Sequence, residues 1–461
     1  MPLIRVHTHD FDLLPAGLTA NTQDVEFSRD ELLNAIVTVG KSQEDDLRTR
    51  TGVEECRREL VWRQSLLEMA LSESGGRFVQ SGSYSRLDPS EKVGVSYMLG
   101  LTATNALCLR YLSMPFLMHL DVYANNRTQP NAYNVTSEWL ENLRIKTALP
   151  DASDKARLQA MIGSKAGALL PRVPGKKWAK DSRVQQTVCE EIFGTSFTSS
   201  PDSTSDPHKQ ARFWSFLTRL VRNARPDLFG VQLDSNGQLE RCVIAEAKGR
   251  SGPVNAADRV DCDASPVPKP ADKFSRLHGE AMLQALSRSH VNGVRVGCHL
   301  AVFAYFERGT AGGANKELHF SWKDPSESLL SPEERKKVPL GKMVVDYYSS
   351  LMALGCPGTE FQVAGERVEL SRCPVKFEVA DAGFSVEFHP KLHEVLVRVF
   401  QGETVSFTEA ETIPLLIRNL ESDQKIGEGT GFSINALRIT GKRGWGSDKL
   451  ATGPFAGDKL K

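Results

Sequence analysis

Two acidic residues and a lysine near the centre of the sequence have the types and spacing that metal-dependent cleavage of a phosphodiester requires. Asp227 precedes one apolar run, Glu246 and Lys248 follow a second, and the turn sequence 234–237 (DSNG) lies between the runs. This turn chemistry predicts a hairpin that brings Asp227 beside Glu246. Because side chains alternate along a strand, Lys248 is expected on the same face as Glu246. Two adjacent carboxylates suit Mg²⁺ or Mn²⁺, and the lysine can stabilise developing charge or position the attacking water.

At these residues the sequence resembles the PD-(D/E)xK nuclease superfamily, whose fold is that of restriction endonucleases. The matching segments are Pro226-Asp227 and Glu246-Ala247-Lys248, separated by a hairpin of the usual length. The resemblance implies that Asp227 and Glu246 bind the metal ion and that Lys248 is catalytic. It covers roughly residues 180–310, about a quarter to a third of the chain, and implies nothing about either flank.

Two further site residues come from the resemblance alone. Many members of the superfamily have an active-site glutamine on the helix after the motif, and Gln284 occupies such a position. Many also have a glutamate on a helix before the first strand, for which Glu190 or Glu191 is available; Glu190 is the one we assign. The match at Glu190 is weaker, because a second helix and a long polar loop separate it from the motif.

The elements expected to position these residues form an α/β domain over 180–325. The order is helix, strand, turn, strand, helix, strand, with apolar strands at 242–245 and 294–306 and a helix at 273–288. The resemblance makes this a central restriction-endonuclease-like mixed sheet flanked by helices.

The flanking regions are predicted from hydrophobic spacing. Residues 1–150 are expected to be a mainly helical domain, with helices within 28–72 and from 89 to about 112; Ser28 and Glu31 have the spacing of a capping box. Residues 335–461 are expected to be β-rich after a helix at 340–354. Its predicted strands are 361–370, 375–379, 384–388 and 395–400.

Composition excludes several classes of protein. Lys plus Arg (57) equals Asp plus Glu (57), which excludes a polycation or an acidic disordered chain but not a local basic face. The apolar window 93–109 contains several polar residues and favours a buried helix over a membrane span. Cys108, Cys242 and Cys298 lie in apolar runs, which favours buried, reduced thiols. We therefore expect a cytoplasmic protein without a membrane partner.

A basic stretch at 172–180 is a candidate nucleic-acid contact. Lysines there can bind backbone phosphate, and the tryptophan among them can stack on a base; the residues are Lys176, Lys177, Trp178 and Lys180. Charge runs are more commonly just solvated, which is the alternative interpretation of these residues. A similar patch lies at 442–445 and has the same two interpretations.

Two histidine pairs are not expected to bind metal. His7 and His9 have the HxH spacing of barrel-type metal-dependent hydrolases, but no series of strand–helix units follows them. His389 and His393 could bind zinc if they shared a helix face, but Pro390 and strand-like flanks argue against a helix there.

The sequence as a whole favours a Mg²⁺- or Mn²⁺-dependent endonuclease whose substrate is DNA. Fold-level analogy extends this to a bacterial restriction or antiphage-defence effector, acting as a homo-oligomer or with a partner defence protein. The alternative is a non-catalytic nucleic-acid-binding or scaffolding protein with a nuclease-like fold. A third interpretation is that the hairpin is incidental and the N-terminal half carries an unrelated function.

Overall fold

The computed structural model describes residues 1–9, 14–19, 21–40, 50–120, 227–250, 290–291, 294–308, 316–323, 329–355, 373–379, 383–400, 405–427 and 429–441. Both helices and a mixed sheet are present, so the protein is α/β. The strands are β1 (Leu3–His9), β2 (Asn21–Glu26), β3 (Leu71–Ser74), β4 (Arg77–Gln80), β5 (Phe116–His119), β6 (Leu228–Leu233), β7 (Leu239–Arg250), β8 (His290–Val291), β9 (Val294–Arg308), β10 (Lys316–Lys323), β11 (Lys376–Val379), β12 (Phe384–Phe388) and β13 (Leu437–Gly441). The helices are α1 (Arg29–Thr38), α2 (Arg50–Ala70), α3 (Gly82–Arg86), α4 (Pro89–Tyr111), α5 (Pro332–Arg335), α6 (Leu340–Gly355), α7 (Pro390–Phe400), α8 (Phe407–Ala410) and α9 (Ile413–Ser422).

The large sheet runs in the order β2-β1-β4-β10-β9-β7-β6-β5, with β3 paired to β4 and β8 to β9. Strands β5, β6 and β7 are antiparallel neighbours, β7 and β9 are parallel, and β9 and β10 are antiparallel. At the other end, β1 pairs in parallel with β10 and antiparallel with β2. The sheet is therefore mixed.

The predicted hairpin is present as β6 and β7. In its turn, Asp234 Oδ1 accepts hydrogen bonds from the backbone N–H groups of Asn236 (2.8 Å) and Gln238 (2.9 Å). Gly237 has φ +70°, a conformation that glycine adopts without strain. The pairing brings Leu228 opposite Ala245 and so sets Asp227 at the level of Glu246.

The N-terminal region contains strands as well as the helices that the sequence predicts for 1–150. Five strands of the large sheet, β1 to β5, come from this region. One hydrophobic core includes Ile4 from β1 and Ile439 from β13. The pairing of β1 with β10 joins segments about 300 residues apart in sequence, and such pairing leaves no local signal in the sequence.

The predicted helices of this region are confirmed. Helix α1 begins with the expected capping box between Ser28 and Glu31. Helix α4 begins with Pro89 at its first position and a second capping box, between Asp88 and Glu91. Its apolar stretch is buried against the sheet, and none of the described helices has the length and hydropathy that a membrane span needs.

The C-terminal region contains a small antiparallel sheet in the order β11-β12-β13. The strands expected at 375–379 and 384–388 and the helix at 340–354 are confirmed, and 361–370 lies outside the described residues. The strand expected at 395–400 is wrong, since this segment is the end of α7. Its buried residues, Leu392, Leu396, Val399 and Phe400, follow the helical repeat. Pro390 occupies the first position of α7, where its missing N–H is tolerated, so it does not exclude a helix at His393.

A buried network of neutral side chains joins the N-terminal helices to the C-terminal region. Asn435 Nδ2 donates to Asn34 Oδ1 (3.1 Å) and to the Tyr347 hydroxyl (2.8 Å), and Asn105 Nδ2 donates to Thr38 Oγ1 (3.0 Å). We call these five residues the asparagine cluster. Because it connects α1, α4, α6 and the loop before β13, the C-terminal region packs as part of the same core.

The cysteines within the described residues follow the prediction with one exception. Cys56, Cys108, Cys242 and Cys298 are buried and form no disulfide. Cys373 is disulfide-bonded, which departs from the expectation of reduced thiols.

Candidate active site

The structure brings Asp227, Glu246 and Lys248 together at one end of the β6–β7 hairpin. We call these three residues the acid site. Asp227 lies immediately before β6, and its Oδ2 accepts a hydrogen bond of 2.9 Å from the backbone N–H of Ala247 on β7. The carboxylate therefore lies against the residue between Glu246 and Lys248, as the hairpin prediction requires.

Glu246 is a buried carboxylate with an incomplete set of partners. Only 1% of its side chain is exposed, and its Oε1 is paired with the Lys248 ammonium, whose side chain is 24% exposed. Within the described part of the chain, Glu246 Oε2 has no hydrogen-bond partner. Since buried polar atoms are normally satisfied, an orphaned carboxylate oxygen suggests a partner such as a metal ion or ordered water.

The electrostatics of the acid site follow from its burial. Burial, followed by the charge of Asp227, raises the pKa of Glu246 to about 8. Burial also raises the pKa of Asp227, although Lys248 and the Ala247 N–H act in the opposite direction. Two neighbouring acids that resist ionisation in this way would be stabilised as carboxylates by a divalent cation.

Tyr97 on α4 is a site residue that the sequence analysis missed. Its hydroxyl donates to Asp227 Oδ1 at 3.4 Å. Burial and then the charges of Asp227 and Glu246 raise the pKa of Tyr97, so its hydroxyl remains protonated. No local sequence pattern indicates this contact, because Tyr97 lies inside a helix 130 residues before Asp227.

His119 at the end of β5 is a second missed neighbour. Its ring donates to the backbone carbonyl of Asp227, and burial followed by the charge of Arg63 lowers its pKa. Arg63 on α2 is itself held by the carbonyls of Ile36 (3.0 Å) and Val39 (2.6 Å). The backbone of Asp227 is thus positioned by N-terminal elements that the sequence analysis assigned to a separate domain.

The donor set fits a magnesium ion better than a structural zinc ion. No group of three or more His, Cys, Asp and Glu side chains that could hold a metal occurs in the described residues. Mg²⁺ commonly uses one or two carboxylates and completes its octahedral shell with water and substrate phosphate. Asp227 and Glu246, with the orphaned Oε2 atom, satisfy this smaller requirement.

The other predicted site residues lie outside the described residues. They are Glu190, Glu191, Gln284, Lys176, Lys177, Trp178 and Lys180.

Neither histidine pair changes the assignment of the site. His7 lies in β1, where Nδ1 is 2.8 Å from Thr22 Oγ1. His389 Nδ1 accepts from the Lys391 backbone N–H at 3.3 Å, and the His393 ring lies near Phe388.

Comparison of the chain with protein-family models, with curated proteins and with solved structures finds no match.

Proposed function

We propose that the protein is a metal-dependent nuclease that hydrolyses phosphodiester bonds in DNA, with a restriction-endonuclease-like arrangement around the β6–β7 hairpin. The observation that carries the proposal is the buried Glu246 carboxylate, whose Oε2 lacks a partner among the described residues while Asp227 lies beside it. A buried carboxylate whose oxygen has no partner destabilises the fold unless a cation or a hydrogen-bond donor binds it. The mixed sheet supports the same interpretation, as do the positions of Glu246 and Lys248 in β7 and of Asp227 immediately before β6.

Each residue of the acid site has a distinct role in the proposed reaction. Asp227 and Glu246 hold Mg²⁺ or Mn²⁺, which when bound polarises the phosphate and lowers the pKa of a water molecule. The Lys248 ammonium, which is paired with Glu246 Oε1, is close enough to the metal ligands to stabilise the charge that develops on the phosphate or to orient the attacking water. Asp227 also accepts hydrogen bonds from the Tyr97 hydroxyl and from the Ala247 N–H.

The choice of DNA, and of a restriction or antiphage-defence role in the cytoplasm, follows from the resemblance to the superfamily and is proposed on that ground. The partner would be DNA and either a second copy of the chain or another defence protein.

A plasmid-cleavage assay tests the proposal. The wild-type chain should convert supercoiled DNA to nicked or linear forms in Mg²⁺ but not in EDTA, and Glu246→Gln should abolish this activity. Asp346→Asn is a matched control, because Asp346 is also 1% exposed and paired with a lysine, Lys342, but lies on α6. If the chain binds DNA in the presence of metal but cleaves neither DNA nor RNA, the non-catalytic alternative would be favoured.

A further inference from the structure

Tyr97 is fixed relative to the acid site by close packing between α4 and β7. A Cβ atom on Gly249 would lie 1.5 Å from the carbonyl oxygen of Ser96, the residue before Tyr97. A Cβ atom on Gly100 would lie 2.7 Å from the Gly249 backbone nitrogen. The two backbones are therefore in direct contact on both sides of Tyr97, which is possible only because both glycines lack a side chain.

The Asp227 carboxylate receives a separate donor at each of its oxygens. The Tyr97 hydroxyl donates to Oδ1 (3.4 Å), and the Ala247 backbone N–H donates to Oδ2 (2.9 Å). The terminal torsion of an aspartate is otherwise broad. Donors from a helix and from a strand at opposite oxygens restrict this rotation, and each oxygen keeps a second lone pair for another ligand.

We propose that Tyr97 is a positioning residue, whose hydroxyl holds Asp227 Oδ1 in the orientation that binds the metal ion. The inference rests on the proposed function, because it treats Asp227 as a metal ligand. It extends that function by assigning part of the site to a residue outside the hairpin, on a helix that precedes Asp227 by more than a hundred residues.

The chain offers a closely matched control in Tyr84. The Tyr84 hydroxyl is 2.7 Å from the Ser96 hydroxyl, so this hydrogen bond involves the residue adjacent to Tyr97. Tyr84 is fully buried, whereas Tyr97 is 39% exposed. Tyr84→Phe should therefore reduce stability at least as much as Tyr97→Phe does, while leaving the donor to Asp227 intact.

The experiment measures Mn²⁺ binding to the full wild-type chain, Tyr97→Phe and Tyr84→Phe by isothermal titration calorimetry, together with cleavage rates across the same Mn²⁺ concentrations. Tyr97→Phe should raise the Kd for Mn²⁺ by about tenfold, the lower end of the effect of one hydrogen bond to a charged group. Its cleavage rate should approach the wild-type rate once Mn²⁺ is saturating. Tyr84→Phe should keep the wild-type Kd.

Each outcome bears on the inference. An unchanged Kd in Tyr97→Phe, or an equal increase in Tyr84→Phe, would overturn it. A rate that stays low at saturating Mn²⁺ would also overturn it, because Tyr97 would then act on the substrate. If the wild-type chain binds Mn²⁺ but does not cleave DNA, and Tyr97→Phe has the predicted increase in Kd, the result would support the positioning role of Tyr97 and contradict the proposed nuclease activity. A wild-type chain that binds no Mn²⁺ would refute both proposals.

Discussion

The asparagine cluster is a buried group of polar side chains, and the acid site has a buried polar residue, Glu246, between the half-buried Asp227 and Lys248. The two clusters differ in how their polar atoms are hydrogen-bonded. In the asparagine cluster, neutral amides and hydroxyls bond to one another, and of its side-chain atoms only Asn105 Oδ1 lacks a partner within the described residues. In the acid site two carboxylates face one lysine, and Glu246 Oε2 lacks a partner there.

This difference indicates which cluster serves stability and which serves function. Neutral groups that satisfy one another cost little to bury and specify how the elements pack. The pKa values of two neighbouring acids, Asp227 and Glu246, are raised, so their ionisation opposes folding and stability does not explain their presence. Residues with strongly shifted pKa values are concentrated at functional sites. Substitutions in the two clusters should therefore have opposite consequences.

The largest effect is expected on cleavage when Lys248 is removed. Lys248→Ala should lower the rate of plasmid nicking by about 10²–10³-fold or more, because it removes the group that stabilises transition-state charge. Lys342→Ala is the control, since Lys342 is likewise paired with a carboxylate that is 1% exposed, that of Asp346. Both variants should fold by circular dichroism, and only Lys248→Ala should lose activity. Equal losses in the two variants would mean that Lys248 acts through stability alone.

The next effect is on stability in the asparagine cluster. Asn435→Ala removes the amide that donates to Asn34 Oδ1 and to the Tyr347 hydroxyl, so the free energy of unfolding should fall by about 2–4 kcal/mol. Urea denaturation measures this value, with the exposed Asn419→Ala on α9 as the control. The Kd for Mn²⁺ should not change in Asn435→Ala. A changed Kd would show that the two clusters are coupled.

The pH dependence of stability should distinguish the acid site from the rest of the molecule. Glu246 titrates near its usual value of 4.5 when unfolded and at about 8 when folded. Between these values the unfolded chain releases a proton that the folded chain keeps, so the free energy of unfolding falls as pH rises from 4.5 to 8 and then levels off. Relative to Glu246→Gln, the free energy of unfolding of the wild type should fall by up to about 5 kcal/mol over this pH range in EDTA. Parallel pH profiles for the two proteins would contradict the raised pKa.

Local chemistry made the hairpin and the helix starts predictable from the sequence. The turn at 234–237, the capping box of Ser28 and Glu31, and the alternation of Glu246 and Lys248 each depend on residues close together in the chain. Such features fix which residues lie beside Asp227 across the hairpin, and the structure agrees.

The features that the sequence did not predict depend on long-range contacts and on one short apolar run whose hydrophobic spacing fits either a helix or a strand. Tyr97 and His119 reach Asp227 only because β5 and α4 pack beside the hairpin, and neither has a sequence motif. At 395–400 the sequence predicts a strand, whereas in the structure Leu392, Leu396 and Val399 form a buried helical face. With short apolar runs of this kind the choice between helix and strand depends on tertiary packing.

The smallest effect is expected on the stability of the metal-free chain when Asp227 becomes neutral. Asp227→Asn removes the repulsion with Glu246 but keeps an oxygen that can accept from the Ala247 N–H, so the free energy of unfolding should be unchanged or rise by up to about 1 kcal/mol. Asp346→Asn should instead lower it, because that carboxylate is paired with Lys342.

Added Mg²⁺ or Mn²⁺ should raise the melting temperature of wild type and of Asp346→Asn, since a ligand that binds only the folded state stabilises it. Asp227→Asn should respond much less to either metal and should not cleave DNA. Ca²⁺ should bind to wild type yet support little cleavage, because its looser coordination positions water poorly. Equal metal-induced shifts in wild type and Asp227→Asn would show that Asp227 is not a ligand, and the contrast between the two clusters would then lose its functional meaning.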